Sequence, residues 1–243
     1  MDSKFLYDKS PRYYDLVYYW KDYKVEAEKL KKLISRYKKS KGKSLLDVAC
    51  GTGEHIKYLK NIFNCVGADL NPKFIAIARK KAPGVRFIVS DMRKMNLKNK
   101  FDVITCLFSA IGHMLTAADF KKAINNFAAH LSSGGVVLIE PWFTRKTFIP
   151  KSAHLNVYDD PKLKIVRLTA PRRQGELSVL DEHFLVANGK KKVAYFRDII
   201  KLRMTEKVEF LSVMKNAGLK ASFLPISLTS SPHRRGVYVG VKN

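Results

Sequence analysis

The residues with the clearest chemical potential lie between positions 45 and 92. Leu45-Leu46-Asp47-Val48-Ala49-Cys50-Gly51-Thr52-Gly53 runs from an apolar stretch into a glycine turn. A backbone without side chains can turn tightly there and lie close to a ligand. The helix expected behind the turn would favour negative charge at its N-terminus. Asp69 closes the next apolar run, somewhat under about twenty residues further on, where a carboxylate accepts hydrogen bonds from ribose hydroxyls. Asp91-Met92 follows a third apolar run and suits an adenine, the carboxylate taking the exocyclic amine and the thioether packing on the ring.

A dinucleotide site would require a further glycine three residues after Gly53, but Ile56 stands there. That argues against NAD and leaves a nucleoside without pyrophosphate. S-adenosylmethionine (SAM) fits this set, with its methionine carboxylate at the glycine turn. The cofactor residues expected from this stretch are Asp47, Gly51, Gly53, Asp69, Leu70, Asp91 and Met92. The bland alternative is an ordinary tight strand-to-helix turn.

These residues need an alternating α/β framework to hold them. Apolar runs at Ser44–Ala49, Cys65–Asp69, Val85–Val89, Phe101–Phe108 and Val136–Glu140 read as buried strands. Helices are expected between them. One covers Glu54–Phe63, with Ile56, Leu59 and Phe63 on one face. Another starts at Asn71, a good N-cap followed by Pro72, and runs to Lys81. A third carries Phe120, Ile124, Phe127 and Leu131 and stops at Gly134-Gly135. Strands alternating with helices imply a parallel sheet with right-handed crossovers.

From about residue 151 the pattern changes. Leu163–Thr169, Leu177–Ala187 and Lys192–Arg203 read as antiparallel strands with turns at Arg173–Gly175 and Asn188–Gly189. Thr205–Ala217 reads as a last helix stopped by Gly218, and Gly236–Val241 as a final strand. Residues 11 to 40 read as helical, with Ala27, Leu30, Leu33, Ile34 and Tyr37 on one stripe. Before that stripe, Tyr13, Tyr14, Tyr18, Tyr19, Trp20 and Tyr23 supply rings either for a pocket cover or for packing the helix onto the core. The expected units are 1–43, a helical cover; 44–150, the cofactor core; 151–204, an antiparallel insertion on the acceptor side; and 205–243, completing the core.

The bulk properties fit one α/β unit. The 243 residues are 46% hydrophobic, enough for a sizeable core. The formal net charge is +25, from 46 Lys and Arg against 21 Asp and Glu, which favours capture of anions without naming one. Clusters at Lys38–Lys43, Arg79-Lys80-Lys81 and Lys190–Lys192 read as solvated faces, with a polyanion surface as the alternative. Cys50, Cys65 and Cys106 have no zinc or redox spacing and read as buried thiols of a reducing compartment. Residues Met1 to Ser10 are too polar for a signal peptide, and no apolar run reaches the roughly 20 residues of a membrane span. A cytoplasmic protein without metal is expected, with a homodimer as the open assembly state.

The motif Leu-Leu-Asp-Val-Ala-Cys-Gly-Thr-Gly-x-His resembles that of class I methyltransferases that N,N-dimethylate nucleotide-linked amino sugars, those of desosamine and mycaminose biosynthesis. Tyr14-Asp15-Leu16-Val17, Lys21-Asp22-Tyr23, Phe108-Ser109-Ala110-Ile111-Gly112-His113, Glu140-Pro141-Trp142, His183–Ala187 and Arg235-Gly236 resemble that family's segments in the same order. The resemblance therefore covers nearly the whole chain. It implies a Rossmann-like class I fold: a mostly parallel seven-stranded sheet with helices on both faces and an inserted antiparallel β region. It also implies that Tyr14 and Tyr23 close over SAM and that Ala49 and Leu107 line its pocket. His113 and Tyr7 would face the acceptor amine. Arg145, Phe148 and Arg235 would contact an acceptor bearing phosphate, with Trp142 as pocket wall or core.

The departures fall mainly near the acceptor. Asp69 stands where the antibiotic-pathway enzymes commonly carry Glu, and the loop before Lys21 is shorter. Phe-Thr-Arg-Lys-Thr-Phe after Trp142 is more basic, and His233-Arg234 replaces a Ser-Gly pair. An RNA methyltransferase is the rival that the charge suggests. The Asn/Asp-Pro-Pro-aromatic segment typical of base-amine methylation is missing after the fourth strand. Methylation of glycine or another small amine is a nearer alternative, and a SAM-binding protein without turnover a more remote one.

Overall fold

The computed structural model describes residues 5–9, 11–150, 152–189, 192–229 and 235–243. A turn of π-helix at Phe5–Lys9 and a short 3-10 turn at Pro11–Tyr13 lead into α1 (Tyr14–Val17). The chain breaks at Tyr18 and restarts as α2 (Tyr23–Tyr37), where the Asp22 carboxylate accepts from Val25 N. The single helix expected over residues 11 to 40 is thus two helices with a bend. The bend turns Lys21 inward, where its ammonium meets Glu26 at 2.6 Å.

Strand β1 (Ser44–Val48) is followed by α3 (Glu54–Leu59), shorter than expected at its C-terminal end. Then come β2 (Asn64–Asp69), α4 (Pro72–Lys81), β3 (Arg86–Val89) and β4 (Phe101–Cys106). Asn71 caps α4 as expected, its side chain accepting from Lys73 N and Phe74 N. Helix α5 (Ala117–His130) opens on a Thr116 cap and passes directly into β5 (Leu131–Ile139). Gly134 and Gly135 therefore lie inside β5 and do not stop the helix; Leu131 ends it by adopting extended backbone.

Strands β6 (His154–Asp159), β7 (Leu163–Gln174), β8 (Leu177–Asn188) and β9 (Ala194–Arg203) form a separate antiparallel sheet in chain order. The turns at Gly175 and Gly189 fall where the sequence places them, both with φ of 60°. Helix α6 (Lys207–Asn216), β10 (Leu219–Leu224) and β11 (Val237–Lys242) complete the main sheet. Strands β6 and β10 are absent from the sequence reading, because half their residues are polar or exposed and neither shows a clean apolar run.

The main sheet has seven strands in the order β10-β11-β5-β4-β1-β2-β3, with β11 antiparallel to its neighbours. Neighbouring residues of one strand face opposite cores. Leu45 and Val103 join α2, with Leu30 and Ile34, on one side. Leu46 and Ile104 join α5 and α6, with Phe127 and Phe210, on the other. A fully buried Leu or Phe of this kind contributes about 1.5–3 kcal/mol relative to exposure. A third cluster joins Phe5, Leu6, Tyr13 and Val17 to Ile165, Phe184 and Val186. The aromatic N-terminal stretch is thus packed on the antiparallel sheet, over the C-terminal ends of β1, β2 and β4.

Candidate active site

Those strand ends open into one cavity of about 980 Å³. It is walled by the glycine turn on one side and the antiparallel sheet on the other. Its size is at the upper end of ligand pockets, which run from about 300 to 1,000 Å³.

At the glycine end, Ala49, Gly51 and Gly53 have φ of 56°, 55° and 80°. An added Cβ on Gly51 would meet nothing within 4 Å, so strain rather than crowding selects glycine there. Asp69 fixes the turn: its Oδ2 accepts from Gly51 N and its Oδ1 from Asn71 N, both at 2.8 Å. Burial pushes its carboxyl upward against those two bonds. Each oxygen keeps a further lone pair for ligand hydroxyls. Ala49, Leu70, Met92 and Leu107 also line the cavity.

Two expected cofactor carboxylates sit differently. Asp47 lies beneath the turn, 2% exposed, and is not in the cavity wall. Its Oδ1 accepts from Thr105 at 2.7 Å while its Oδ2 is buried without a hydrogen bond. Burial pushes this carboxyl up to about 6. Asp91 lines the cavity, but Arg93 grips it through Nε at 3.0 Å and Nη2 at 2.6 Å. That hydrogen-bonded guanidinium holds Asp91 below the usual carboxylate range. Gly53 caps α3 and shapes the turn without lining the cavity.

The cover meets the turn through a polar clasp. Thr52 Oγ1 donates to Asp15 Oδ1 at 2.6 Å. Lys81 Nζ donates to Asp15 Oδ2 at 2.7 Å and to Glu54 Oε1 at 2.6 Å. The basic cluster at residues 79–81 is therefore not simply a solvated face, since Arg79 also donates to Phe87 O. Tyr14 lines the cavity between Tyr7, Tyr18 and Phe74. Tyr23 lies outside it, in a smaller hollow beside Glu54 and Tyr58, with its ring edge-on to His55 at 5.0 Å.

At the far end of the cavity from the glycine turn, Phe108 and Ser109 both adopt left-handed backbone, with φ of 51° and 62°. Such strain persists only where surroundings fix it. Here Glu140 Oε2 accepts from Phe108 N and Ser109 Oγ donates to Pro141 O, both at 2.7 Å. A Cβ on Gly112 would lie 3.1 Å from Trp142 Cβ. These contacts knit Phe-Ser-x-Ile-Gly-His to Glu-Pro-Trp and aim His113 into the cavity wall. Tyr7 faces it edge-on, with ring centroids 6.4 Å apart. Tyr7 is clamped by its own backbone: Asn71 Nδ2 donates to Tyr7 O at 2.6 Å, and Asp198 accepts from Phe5 N and Leu6 N. Burial pushes the Tyr7 and Tyr14 hydroxyls well above their usual range.

Trp142, Phe148 and Arg235 line the cavity. Arg235 Nη2 donates to Glu140 Oε1 at 3.2 Å, its guanidinium lies 5.7 Å from the Trp142 ring, and its buried Nε has no hydrogen bond. Arg145 does not line the cavity. The turn at Thr144–Thr147 directs it outward, where Nε and the backbone N reach Glu206 Oε1 at 3.3 and 3.0 Å. His233 and Arg234 lie outside the described residues.

Besides Arg235 and Arg93, the cavity wall holds Arg167 on β7, which the sequence reading missed. Its side chain is 9% exposed, with Nη1 donating to Tyr18 Oη at 3.0 Å and Nη2 to Asn156 Oδ1 at 2.9 Å. The available signal was its place between Ile165 and Thr169 on the strand's inward-facing alternation. Glu182 on β8 faces the same wall.

The strand order and the turn with its carboxylate define a class I SAM-dependent methyltransferase, and residues 45–135 match the family model described as a methyltransferase domain. The dTDP-3-amino-3,6-dideoxy-alpha-D-glucopyranose N,N-dimethyltransferase of Streptomyces fradiae is 33% identical over 94% of this chain and 89% of its own. The crystal structure of Streptomyces venezuelae DesVI superposes with a TM-score of 0.88 at 32% identity, covering 96% of this chain and 98% of that one. SAM-bound CalS10, an amino pentose methyltransferase from Micromonospora echinaspora, gives 0.82 at 29% identity over 91% and 92%. The chain belongs to the family of nucleotide-linked amino-sugar N,N-dimethyltransferases and is a SAM-dependent N-methyltransferase.

Proposed function

We propose that this enzyme methylates the amine of a sugar linked to a nucleoside diphosphate. The observation that carries this reading is the continuity of one cavity from the glycine turn and Asp69 to the buried Arg235. When bound, SAM supplies an electrophilic methyl group on sulfonium. The turn at Ala49–Gly51 would hold its methionine end, Asp69 the ribose, and Leu70, Met92 and Leu107 the adenine side. Asp91 would contribute through whatever acceptor capacity Arg93 leaves. Asp47 and Gly53 would act through the shape of the turn, Asp47 with its buried oxygen close beneath it. Tyr14 would close over the cofactor, while Tyr23 would support the cover from outside.

His113 and Tyr7 would orient the acceptor nitrogen in line with the methyl group at roughly 3 Å. Holding reactants so, with water excluded, can lower a barrier by roughly 7–11 kcal/mol. An alkylammonium must lose a proton before attack, and His113 is placed to take it or to hold the neutral amine. Arg235, above Trp142 and Phe143, would meet the diphosphate with Arg167 in place of the outward-turned Arg145.

Three free, buried cysteines favour a cytoplasmic setting. No described helix is long and apolar enough to cross a membrane. As assembly we propose a homodimer, since Leu155, Leu168, Leu185 and Tyr195 lie exposed on the antiparallel sheet. Light scattering showing a monomer would contradict it. The function is tested by incubating the enzyme with SAM and the dTDP-linked 3-amino sugar and following product mass. Sequential gains of one methyl group support the reading, and no gain with any nucleotide-linked amino sugar refutes it.

A further inference from the structure

Beneath the cover lies a buried ion cluster that the roles above leave unused. Lys21 in the bend between α1 and α2, Glu26 on α2 and His55 on α3 are 7%, 2% and 7% exposed. Among the described residues, Lys21 is the only buried lysine. Its ammonium meets Glu26 Oε1 at 2.6 Å, and Glu26 Oε2 meets His55 Nε2 at 2.8 Å. Burial opposes the charge on Glu26, yet its bonds to His55 and Lys21 hold the carboxyl below the usual range. The Lys21 ammonium also lies over two rings, 4.2 Å from the centroid of Phe108 and 5.0 Å from that of Tyr23. None of the three charged residues lines the main cavity.

The cluster joins three parts of the site. His55 stands in the first turn of α3, two residues past Gly53 of the glycine turn. Lys21 and Glu26 belong to the cover. Phe108 lines the cavity and opens the strained turn, with Tyr18 edge-on against its ring at 5.0 Å. From that turn, Ala110 N donates to Leu107 O and Gly112 N to Ser109 O. The backbone around Phe108 therefore sets the 3-10 turn Ala110–His113, which ends in His113. Buried ion pairs are seldom held for stability, because apolar residues of similar shape often do as well or better. What such a pair adds is a single defined arrangement, and a desolvated cation is drawn to a ring face.

We propose that Lys21 is a positioning residue for methyl transfer: it holds Phe108, and with it the turn that carries His113, at a fixed place relative to the glycine turn. The contacts run from His55 through Glu26 and Lys21 to Phe108, so the two ends of the cavity are tied together through the cover. Transfer requires the acceptor nitrogen, the methyl carbon and the sulfur in line, and a misplacement of about 1 Å can cost about 100-fold in rate. Lys21 acts on that alignment from behind the cavity wall, so it governs the rate of the step and not the binding of either ligand. The inference takes the amino sugar as acceptor and rests on that reading.

The experiment is a double-mutant cycle in kcat with the dTDP-linked 3-amino sugar as acceptor. One arm is Lys21→Met/Glu26→Gln, which removes both charges together, so neither is orphaned and the new amide still accepts from His55. The other arm is Phe108→Leu, and the combined variant closes the cycle. Lys21→Met/Glu26→Gln should lower kcat by about tenfold or more, within the loss a misplaced pair of reactants suffers. The acceptor KM, and the Kd of S-adenosylhomocysteine by calorimetry, should stay within about threefold of wild type. In the Phe108→Leu enzyme the same two changes should lower kcat by less than about twofold, because residues acting through one contact are not additive. An unchanged kcat, an equal fall with and without Phe108, or a rise of KM and Kd in step with the fall overturns the proposal. So does a Lys21→Met/Glu26→Gln variant that no longer folds, since the cluster would then serve stability. Wild-type enzyme that does not turn over the amino sugar would instead refute the substrate reading.

Discussion

Replacing Asp47 by Asn tests the electrostatics beneath the glycine turn. The carboxylate is 2% exposed, has one oxygen without a hydrogen bond, and titrates at about 6 because burial disfavours its charge. An unfolded Asp titrates near 3.9. Between those values the native state holds a proton that the unfolded chain has released, so stability falls as pH rises through that window. The gap is about 2 units, and at 1.36 kcal/mol per unit the cost at neutral pH is about 3 kcal/mol. The substituted amide carries no such charge, so the variant escapes the loss, although the amide adds a pH-independent cost of about 1–3 kcal/mol where it lacks an acceptor. That constant cancels when the variant is compared with wild type across pH. Urea unfolding of the ligand-free proteins at pH 4 and pH 7.5 should show the stability difference, variant minus wild type, rising by about 2–3 kcal/mol toward neutral pH. A difference that stays flat would refute the reasoning, because the buried charge would then cost nothing.

Asp69→Ala should weaken SAM affinity by about 10- to 100-fold, the loss expected of hydrogen bonds to a charged group, and calorimetry measures it directly. His113→Ala should lower kcat by roughly 100-fold or more, with SAM affinity retained, in steady-state kinetics paired with SAM titration. A collapse of SAM binding would place His113 wrongly. Lys81→Met leaves Asp15 and Glu54 as unneutralised neighbours, so the clasp should open. Limited proteolysis should then cut the N-terminal cover faster than in wild type, and bound SAM should restore less protection.

The cofactor half was legible because its signals are local. Gly51, Gly53 and Asp69 serve backbone geometry within a few residues of themselves, and Asn71-Pro72 encodes its own helix start. The half proposed for the acceptor depends on pairings far apart in the chain. Arg145 looked suitable by position, yet the turn of Thr144–Thr147 sends it to Glu206, 61 residues away. Arg167 stands in an alternating strand where a buried arginine reads as an exposed one. Its partners Tyr18 and Asn156 come from the cover and the edge strand, and no sequence spacing announces them. Lys81 shows the same limit in reverse: a run of basic residues conceals one that holds the cover closed.

The central claim is transfer of methyl groups from SAM to a nucleotide-linked amino sugar. Radiolabelled SAM should be offered, in parallel, dTDP-linked amino sugars, a pool of small amines including glycine, and total RNA. The account predicts label in a mono- and then dimethylated nucleotide sugar, and none in RNA. Label in RNA alone would contradict it, leaving the fold intact and making the net charge of +25 the guide to the acceptor.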